Sequence, residues 1–441
     1  METFNFVLNI INTVIIVFVT IAFVFQLIYL FLFFLKKRTY PKAKEKHYCG
    51  VYICARNEED VIGRTIKYLQ KLNYPKDKYE IIVLADNCTD RTAEIARSMS
   101  SEIKVTVFER QESDPKKRNV GWASNYLFNQ LMPDIDKYEF FVRFDADDIV
   151  DKDYLEYMND AYESGVKAAK GYNNASNISQ NLVSGVSGLW YIRDSRFNCH
   201  ARAALHTDVF LVGGGMMFAS SIIKEDGGWL ATHTSEDTQF TIMNMKKNRK
   251  VAYVPDAVLY EDQPASLKTL FIRNIRMGKS LHNLFWKEGF KCLGRFFTKF
   301  KYKYLDMFLN LFFIPIAVVC CTWFPAYYIY LILFNLLTQN MPGFYEILIT
   351  IAYILGFAFL LPFILQAFLV LLLDHKKIKV PAYKLVGTCF VFPMFMIIYA
   401  LGIVIGVFSH KQKWGQVKRS SWEDSKEFQT ILKDNNYIDE K

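Results

Sequence analysis

The chain carries 30 consecutive residues without a charged side chain at positions 6–35. A helix needs about 20 apolar residues to cross a bilayer, so this run is long enough to span one. It is too long for the core of a signal peptide, and Glu2 rather than a basic stretch precedes it. We therefore predict a permanent membrane helix at this position.

Three more apolar blocks follow late in the chain, and basic clusters lie at the ends of the apolar runs. Such clusters are typical of cytoplasmic flanks beside anionic headgroups, so we expect residues 36 to about 300 in the cytoplasm. The same distribution argues against nucleic acid as the partner behind the formal net charge of +9. The late blocks are 305–337, 346–373 and 384–408, and the clusters are 36–38, 299–303, 375–377 and 410–413.

The basic clusters near 375 and 410 both favour the cytoplasm, which three simple late crossings do not allow. Either the block 305–337 is a hairpin broken at Pro315 and Pro325, or the block 384–408 enters the membrane and returns around Pro393. Residues 266–303 mix apolar and basic side chains at helical spacing. We interpret them as helices lying in the membrane interface, with an ordinary amphipathic helix as the alternative.

Short β-rich runs alternate with helical stretches between residues 48 and 265. This alternation predicts a mostly parallel sheet covered by helices on both faces, and ligands of such sheets bind beyond the carboxyl ends of the strands. The predicted strands are 51–54, 79–84, 105–108 and 140–144, and the predicted helices are 58–72, 89–99, 116–131 and 238–245.

Polar clusters follow three of the predicted strands. One of them, Asp145-Ala146-Asp147, closes the apolar run 140–144. Two carboxylates with one residue between them at a strand end reach one divalent cation together, and a cation of that kind neutralises a nucleotide diphosphate. We predict Asp147 as a direct ligand of Mg²⁺ or Mn²⁺. Asp145 is either the second ligand or a contact to the ribose of a nucleotide.

With these motifs in place, the chain resembles the family 2 glycosyltransferases over about residues 48–279. The specific resemblance is to the inverting, membrane-integrated branch that includes cellulose, chitin and hyaluronan synthases. It implies a cytosolic GT-A domain, which is a Rossmann-like α/β fold, joined to a helical transmembrane region. The matching segments are Cys54-Ala55-Arg56-Asn57-Glu58, Asp86-Asn87-Cys88-Thr89-Asp90, Asp145-Ala146-Asp147 and Thr234-Ser235-Glu236-Asp237.

The resemblance also implies roles for individual residues. Asp86 would recognise uracil or ribose, and Asp237, next to Glu236, would deprotonate the acceptor hydroxyl, as an inverting transfer requires. His233 is a rival base because its ordinary pKa lies near neutrality. The other residues placed at the donor are Arg56, Asn57, Glu58, Lys117 and Asp145.

Arg273 and Arg276 stand in the segment that aligns with the family's QxxRW motif, where they would clamp the departing diphosphate. Arg273 occupies the Gln position of that motif and Met277 its Trp position, so the aromatic stacking of an acceptor sugar is missing. The remaining residues expected at the acceptor are Gly214, Gly215, Met216 and Trp190. Trp414 and the basic residues around it are similar to a cytosolic C-terminal motif of several synthases.

The function expected from this resemblance is transfer of a sugar from a UDP-sugar to a growing polysaccharide, coupled to export across the plasma membrane. An accessory export subunit or a homo-oligomer is compatible with that role. The alternatives are transfer to a membrane lipid, such as a polyprenyl phosphate or diacylglycerol, and a transporter or scaffold with a degenerate domain. The predicted regions are 1–38, 48–265, 266–303, 304–409 and a cytosolic tail, 410–441.

Overall fold

The computed structural model describes residues 2–409, 426–435 and 437, and it divides into two compact units. Of the described residues, the sheet unit comprises 35–265, 374–381, 426–435 and 437. The membrane unit comprises 2–34, 266–373 and 382–409. Most of the predicted tail 410–441, including Trp414, lies outside the described residues.

The sheet unit is built on eight strands in the order β3-β2-β1-β4-β7-β6-β8-β5. Strand β1 pairs in parallel with both β2 and β4, and β2 pairs in parallel with β3. Strand β7 runs antiparallel to β4 and β6, whereas β6 and β8 are parallel. The strands are β1 (Cys49–Ala55), β2 (Tyr79–Asp86), β3 (Val105–Arg110), β4 (Phe140–Phe144), β5 (Ile149–Val150), β6 (Ala168–Ala175), β7 (Met216–Ala219) and β8 (Val251–Glu261).

Helices cover both faces of this sheet, which confirms the predicted α/β architecture. Alternate residues of β1 point to opposite faces: Val51 and Ile53 belong to one buried cluster and Tyr52 to the other. The helices of the sheet unit are α2 (Ile62–Leu69), α3 (Thr92–Ser98), α4 (Val120–Leu131), α5 (Tyr154–Glu163), α6 (Leu182–Arg193), α7 (His200–Ala204), α8 (Ser220–Asp226), α9 (Glu236–Lys246) and α16 (Lys426–Asp434).

Trp229 anchors α9, whose first two residues are Glu236 and Asp237. Its ring stacks on Phe240 at a centroid distance of 4.7 Å, and its Nε1 donates to the carbonyl of Ala231 at 2.8 Å. Replacing Trp229 by Ala is expected to lower the free energy of unfolding by about 3–5 kcal/mol, because a large buried ring leaves a cavity. Denaturant unfolding followed by circular dichroism in detergent measures this loss. Leu230→Ala is the matched control, since the Leu230 side chain is 46% exposed; an equal loss in both variants would contradict the prediction.

The membrane unit contains four helices that are long and apolar enough to cross a bilayer, at Thr3–Ile21, Tyr302–Leu337, Met341–Ile378 and Ala382–Phe408. By length and composition, these helices associate the chain with a membrane. The helices of this unit are α1 (Glu2–Phe31), α10 (Leu267–Leu284), α11 (Phe290–Lys299), α12 (Tyr302–Leu337), α13 (Met341–Tyr353), α14 (Leu361–Ile378, whose last residues pack with the sheet unit) and α15 (Val386–Phe408).

The prolines in the late apolar blocks lie inside continuous helices. Pro315 and Pro325 both fall within α12, and Pro393 falls within α15. Neither the broken hairpin nor the reversal around Pro393 is therefore present. A proline removes one intrahelical hydrogen bond, and within a membrane neighbouring helices and local adjustments of the backbone compensate for that loss.

Helices α1 and α12 are joined by hydrogen bonds between side chains. Three asparagines at helical spacing on α1 meet three aromatic residues on α12. The oxygen atoms of Asn5, Asn9 and Asn12 accept hydrogen bonds from Tyr330 at 2.5 Å, Tyr327 at 2.7 Å and Trp323 at 3.3 Å. Ascending positions on one helix pair with descending positions on the other, so the two helices are antiparallel.

Two segments from late in the sequence pack into the sheet unit. The Lys377 Nζ donates to the carbonyl of Pro255 at 2.7 Å, which holds 374–381 against β8. At the C-terminal end, the Tyr437 hydroxyl donates to the carbonyl of Val150 at 2.7 Å, and Lys379 pairs with Asp434 at 2.8 Å. These segments therefore belong to the same folded unit as the strands.

Candidate active site

The ends of β1 and β2 are bound to each other by their polar loops. Asn57 adopts a left-handed conformation with φ of 54°, and its Oδ1 accepts the backbone N–H of Thr89 at 2.8 Å. The carbonyl of Glu58 accepts the N–H of Ile62 at the start of α2. Both residues thus hold the loops in shape, and the half-buried Arg56 places its positive charge near Asp86.

Asp86 ends β2 and is held by Arg110. Arg110 Nη1 donates a hydrogen bond to Asp86 Oδ1 at 2.7 Å, and Arg110 Nη2 donates to the carbonyl of Lys117 at 2.9 Å. Burial raises the pKa of Asp86, and Arg110 opposes that rise. The Lys117 ammonium itself is exposed and lies 5.2 Å from the centre of the Trp122 ring. Arg110 therefore connects the two segments in which a nucleotide contact was predicted.

The turn after β4 carries the Asp145-Ala146-Asp147 sequence. Asp148 accepts the backbone N–H of Asp145 at 2.8 Å, and the Thr65 hydroxyl donates to the carbonyl of Ala146 at 2.7 Å. Burial, together with the negative charges of its neighbours, raises the pKa of the Asp148 carboxyl well above its usual range. Asp148 and Thr65 thus fix the turn from inside, while the Asp145 and Asp147 side chains are only half-buried.

Gly213, Gly214 and Gly215 pass close over the acidic turn. A Cβ on Gly214 would lie 2.5 Å from Asp148 Oδ2, and Gly215 combines a φ of 71° with a carbonyl that accepts the Tyr154 hydroxyl at 2.7 Å. Residues without a side chain are therefore required at both positions.

Glu236 and Asp237 begin α9 on the other side of the glycine segment. Asp237 Oδ2 accepts the backbone N–H of Gly213 at 3.0 Å, and Oδ1 accepts that of Thr238 at 2.6 Å. Glu236 is buried and pairs with Arg143, with an Nη1–Oε1 distance of 2.6 Å. Burial raises the pKa of Glu236 to about 7, with Asp237 adding to the rise and Arg143 opposing it.

His233 has a structural role in the loop before α9. Its ring Nδ1 accepts the backbone N–H of Ser235 at 3.1 Å, and the backbone N–H of His233 donates to Gln239 Oε1 at 2.8 Å. One ring nitrogen is thus already used by the loop, which leaves Asp237 as the better placed of the two bases considered.

The acidic residues from separate strands converge on one edge of the sheet. Asp86 and Asp145 both act on the Cys54 thiol at the end of β1, whose pKa burial raises to about 12. Arg143, in turn, feels the charges of Glu236, Asp145 and Asp237. Parallel pairing with β1 places the ends of β2 and β4 at the same edge, and the ion pair of Arg143 with Glu236 joins β4 to the start of α9.

Two carboxylates fit a cation that arrives with phosphate, because Mg²⁺ keeps water and binds to one or two protein carboxylates plus phosphate oxygens. Asp145 and Asp147, both half-buried on the turn after β4, are two carboxylates of the kind such a cation binds. Among the described residues, no group of three or more His, Cys, Asp or Glu side chains is arranged as a complete protein cage for a metal ion.

Five other predicted site residues are buried or half-buried in their own units. Met216 is buried in the core, so its side chain supports the glycine segment from within. Trp190 is half-buried on α6 and lies edge-on to Tyr191 at 5.4 Å. Arg273, Arg276 and Met277 are on α10 of the membrane unit and are half-buried there.

Two arginines of the site were not identified from the sequence. Arg143 stands inside an apolar strand and Arg110 at the end of another strand. The local sequence pattern therefore indicates no function for either arginine. Their acidic partners lie 93 and 24 residues away along the chain. A charged residue inside a predicted buried strand was the available signal, because a buried charge requires a partner.

Comparison with known proteins identifies a family model and several relatives that match this chain. The family model described as "Glycosyltransferase like family 2" matches residues 47–280, which is more than half of the chain. The relative "Probable glycosyltransferase YdaM" of Bacillus subtilis is 27% identical over 258 residues, or 55% of this chain. The "Beta-monoglucosyldiacylglycerol synthase" of Nostoc sp. is 26% identical over 44% of this chain.

The "Poly-beta-1,6-N-acetyl-D-glucosamine synthase" of Staphylococcus aureus is 24% identical over 58% of this chain. The chain spans 58%, 40% and 58% of the length of these three relatives. Among solved structures, the mannosyltransferase PcManGT from Pyrobaculum calidifontis, in complex with GDP-Man and Mn²⁺, has a similar fold. Its TM-score is 0.54 at 14% identity, and the match covers 92% of this chain and all of that one.

Proposed function

The chain belongs to glycosyltransferase family 2, and from that premise we propose that it transfers a sugar from a UDP-sugar to a membrane-bound acceptor with inversion at the anomeric carbon. The observation that carries this proposal is structural: the ends of β2 and β4, which bear Asp86 and Asp145, both flank β1, and Gly213 contacts both Arg143 of β4 and Asp237. Such an arrangement supports a donor site, a diphosphate site and a base at one edge of the sheet.

The reaction needs one proton transfer and one substitution. The acceptor hydroxyl attacks the anomeric carbon on the face opposite the diphosphate, so that the new C–O bond forms as the bond to the diphosphate breaks. Asp237 takes the hydroxyl proton. Its two oxygens each accept one backbone N–H, which holds the carboxylate in place and leaves lone pairs for the acceptor.

The donor side is formed by the loops after β1, β2 and β4. Asp86, held by Arg110, would contact the nucleoside, with Arg56, Asn57 and Glu58 forming the neighbouring loop. Asp145 and Asp147 would hold a Mg²⁺ or Mn²⁺ ion, which when bound neutralises the diphosphate. A further cationic contact to the leaving group would come from Lys117.

The membrane unit favours a lipid acceptor over an exported polymer. Among the described residues, the most apolar window of Met341–Ile378 is 0% buried and that of Thr3–Ile21 is 6% buried. A channel for a hydrophilic chain requires helices packed around a lumen, whereas these two helices leave their surfaces open to lipid. The relative from Nostoc sp. is itself named for a diacylglycerol product.

Helix α11 and the turn before it also favour an acceptor at the membrane surface. Trp286, Phe290 and Phe297 are more than half exposed, and basic residues lie between them. An apolar aromatic face beside basic side chains is typical of a helix in the interface. Polysaccharide synthesis remains the second candidate, supported by the name of the relative from Staphylococcus aureus.

A nucleotide-sugar panel tests the function and separates the two acceptors. The full-length protein in nanodiscs is incubated with labelled UDP- and GDP-sugars, Mn²⁺ or Mg²⁺, and diacylglycerol or polyprenyl phosphate. Label in an organic extract as a lipid carrying one sugar supports lipid glycosylation. Label in a water-soluble product of high mass supports a polymer instead, and no transfer from any donor would contradict the proposed function.

The basic cluster 36–38 favours a cytoplasmic sheet unit at the plasma membrane. The chain leaves this unit after Pro381 and is part of it again at Phe428, so the intervening α15 does not act as a single crossing, and the C-terminal end lies on the side of the sheet unit. An epitope tag after Lys441 is then expected to resist protease in intact cells and to be cleaved in inverted vesicles. Cleavage of the tag in intact cells would place the C-terminus outside. A tag before Met1 is the control for membrane integrity.

A further inference from the structure

Arg143 is a buried cation at the centre of the candidate site. It lies in β4 two residues before Asp145, and its side chain is 3% exposed. The guanidinium donates to two partners: Nη1 to Glu236 Oε1 at 2.6 Å and Nη2 to the carbonyl of Gly213 at 3.0 Å. One side chain thus connects β4, the glycine segment and the start of α9.

The same three elements are joined a second time through the backbone. The N–H of Gly213 donates to Asp237 Oδ2 at 3.0 Å, and the N–H of Gly215 donates to the carbonyl of Arg143 at 2.8 Å. The position of Gly213 is therefore fixed by Arg143 on its carbonyl side and by Asp237 on its amide side. A displacement of the Arg143 side chain would release the Gly213 carbonyl and let Gly213 shift, and the N–H of the same residue orients the Asp237 carboxylate.

The two neighbouring acids at the start of α9 have different partners. Glu236 is paired with the Arg143 guanidinium, whereas the Oδ2 of Asp237 accepts the Gly213 N–H. We propose that Arg143 is a positioning residue that fixes the Asp237 carboxylate through Gly213, and that Glu236 is the counter-ion of Arg143 rather than a second group in the proton transfer. This inference rests on the proposed function, because it assigns a role relative to Asp237 as the base.

Replacing Arg143 by Met is expected to lower kcat about 100-fold, since a shift of about 1 Å in a reacting group has an effect of that size. The KM for the UDP-sugar and the affinity for UDP with Mn²⁺ should stay near the wild-type values, because Arg143 contacts the base side of the site. Arg143→Lys is expected to recover part of kcat: one ammonium retains the charge but lacks the planar fork that reaches Glu236 and Gly213 together.

The double variant Arg143→Met/Glu236→Met separates positioning from simple charge balance. Removing both charges leaves no unpaired ion in the core, so its melting temperature should lie near that of the wild type. Its kcat should stay low, because the Gly213 carbonyl still lacks its donor. A double variant with wild-type kcat, or a folded Arg143→Met variant with kcat within about threefold of wild type, would overturn the proposal.

Arg249→Met is the matched control. Arg249 also pairs with two acids, Glu225 and Asp226, at 2.6 and 2.7 Å. Arg249 lies just before β8, at the end of the sheet where β4 begins and away from the candidate site. The pairing shows this: Val251 pairs with Ala168, Ala168 with Phe218, and Phe218 with Phe141 near the start of β4. This variant should melt at a lower temperature with kcat unchanged. Absence of transfer in the wild type would contradict the proposed function, whereas an active wild type with an equally active Arg143→Met variant would contradict this inference alone.

Discussion

Replacing Asp237 by Asn is expected to lower kcat about 10²- to 10⁴-fold, which is the range associated with a general base. The amide oxygen retains a hydrogen bond from Gly213, so the glycine segment should stay in place while the group that accepts the proton is lost. Binding of UDP with Mn²⁺ should remain, because the donor contacts come from other strands. Labelled transfer and calorimetric titration with UDP measure the two effects separately.

Asp136→Asn is the control for this substitution. Asp136 is an exposed carboxylate that pairs with Lys224 away from the candidate site, so the same chemical change there should leave kcat and UDP affinity unaltered. If Asp237→Asn keeps most of its activity, the assignment of the base is wrong. A loss of UDP binding together with activity would instead indicate that the variant no longer folds correctly.

Replacing Asp147 by Asn is expected to lower activity about 10²- to 10³-fold at a fixed low Mn²⁺ concentration, because a carboxylate that neutralises a cation becomes an uncharged amide. Raising the Mn²⁺ concentration should restore part of the activity. Electron paramagnetic resonance of Mn²⁺ in the presence of UDP reports the affinity directly. An unchanged Mn²⁺ affinity would show that Asp147 is not a ligand.

Asp145→Asn distinguishes the two roles considered for that residue. As a metal ligand, its replacement should shift the Mn²⁺ dependence in the same direction as Asp147→Asn. As a contact to the ribose, it should raise the KM for the donor and leave the Mn²⁺ dependence unchanged. Asp148 is unsuitable as a control for either variant, because it holds the Asp145 backbone from inside.

The carboxylates of the site were predictable because each directly follows a recognisable strand or precedes a helix. The apolar runs that became β1, β2 and β4 set the positions of Asp86 and Asp145, and the parallel pairing brings their ends together. Sequence patterns report local preferences well. For that reason the sequence analysis identified the residues whose role follows from their place at the end of a strand.

Arg143 shows why the partners of the buried charges were not predictable. Its neighbours are apolar, and its partner Glu236 becomes adjacent only when β4 and α9 fold together. Strand β6, with the sequence AAKGYNNA, was missed for a related reason: its polar residues find partners only in the folded protein, as Asn173 does with Glu261 at 2.8 Å. The continuous helix through Pro315 and Pro325 likewise depends on surroundings that a local rule omits.

The pairing of α1 with α12 has a consequence for how this chain responds to its lipid environment. Apolar surfaces gain little from meeting each other inside a bilayer, so Asn5, Asn9 and Asn12 supply most of the specificity of that pairing. Three hydrogen bonds along one stripe fix the register of α1 against α12, because sliding one helix along the other would break all three together. The first helix is therefore expected to keep its register against α12 when the bilayer deforms.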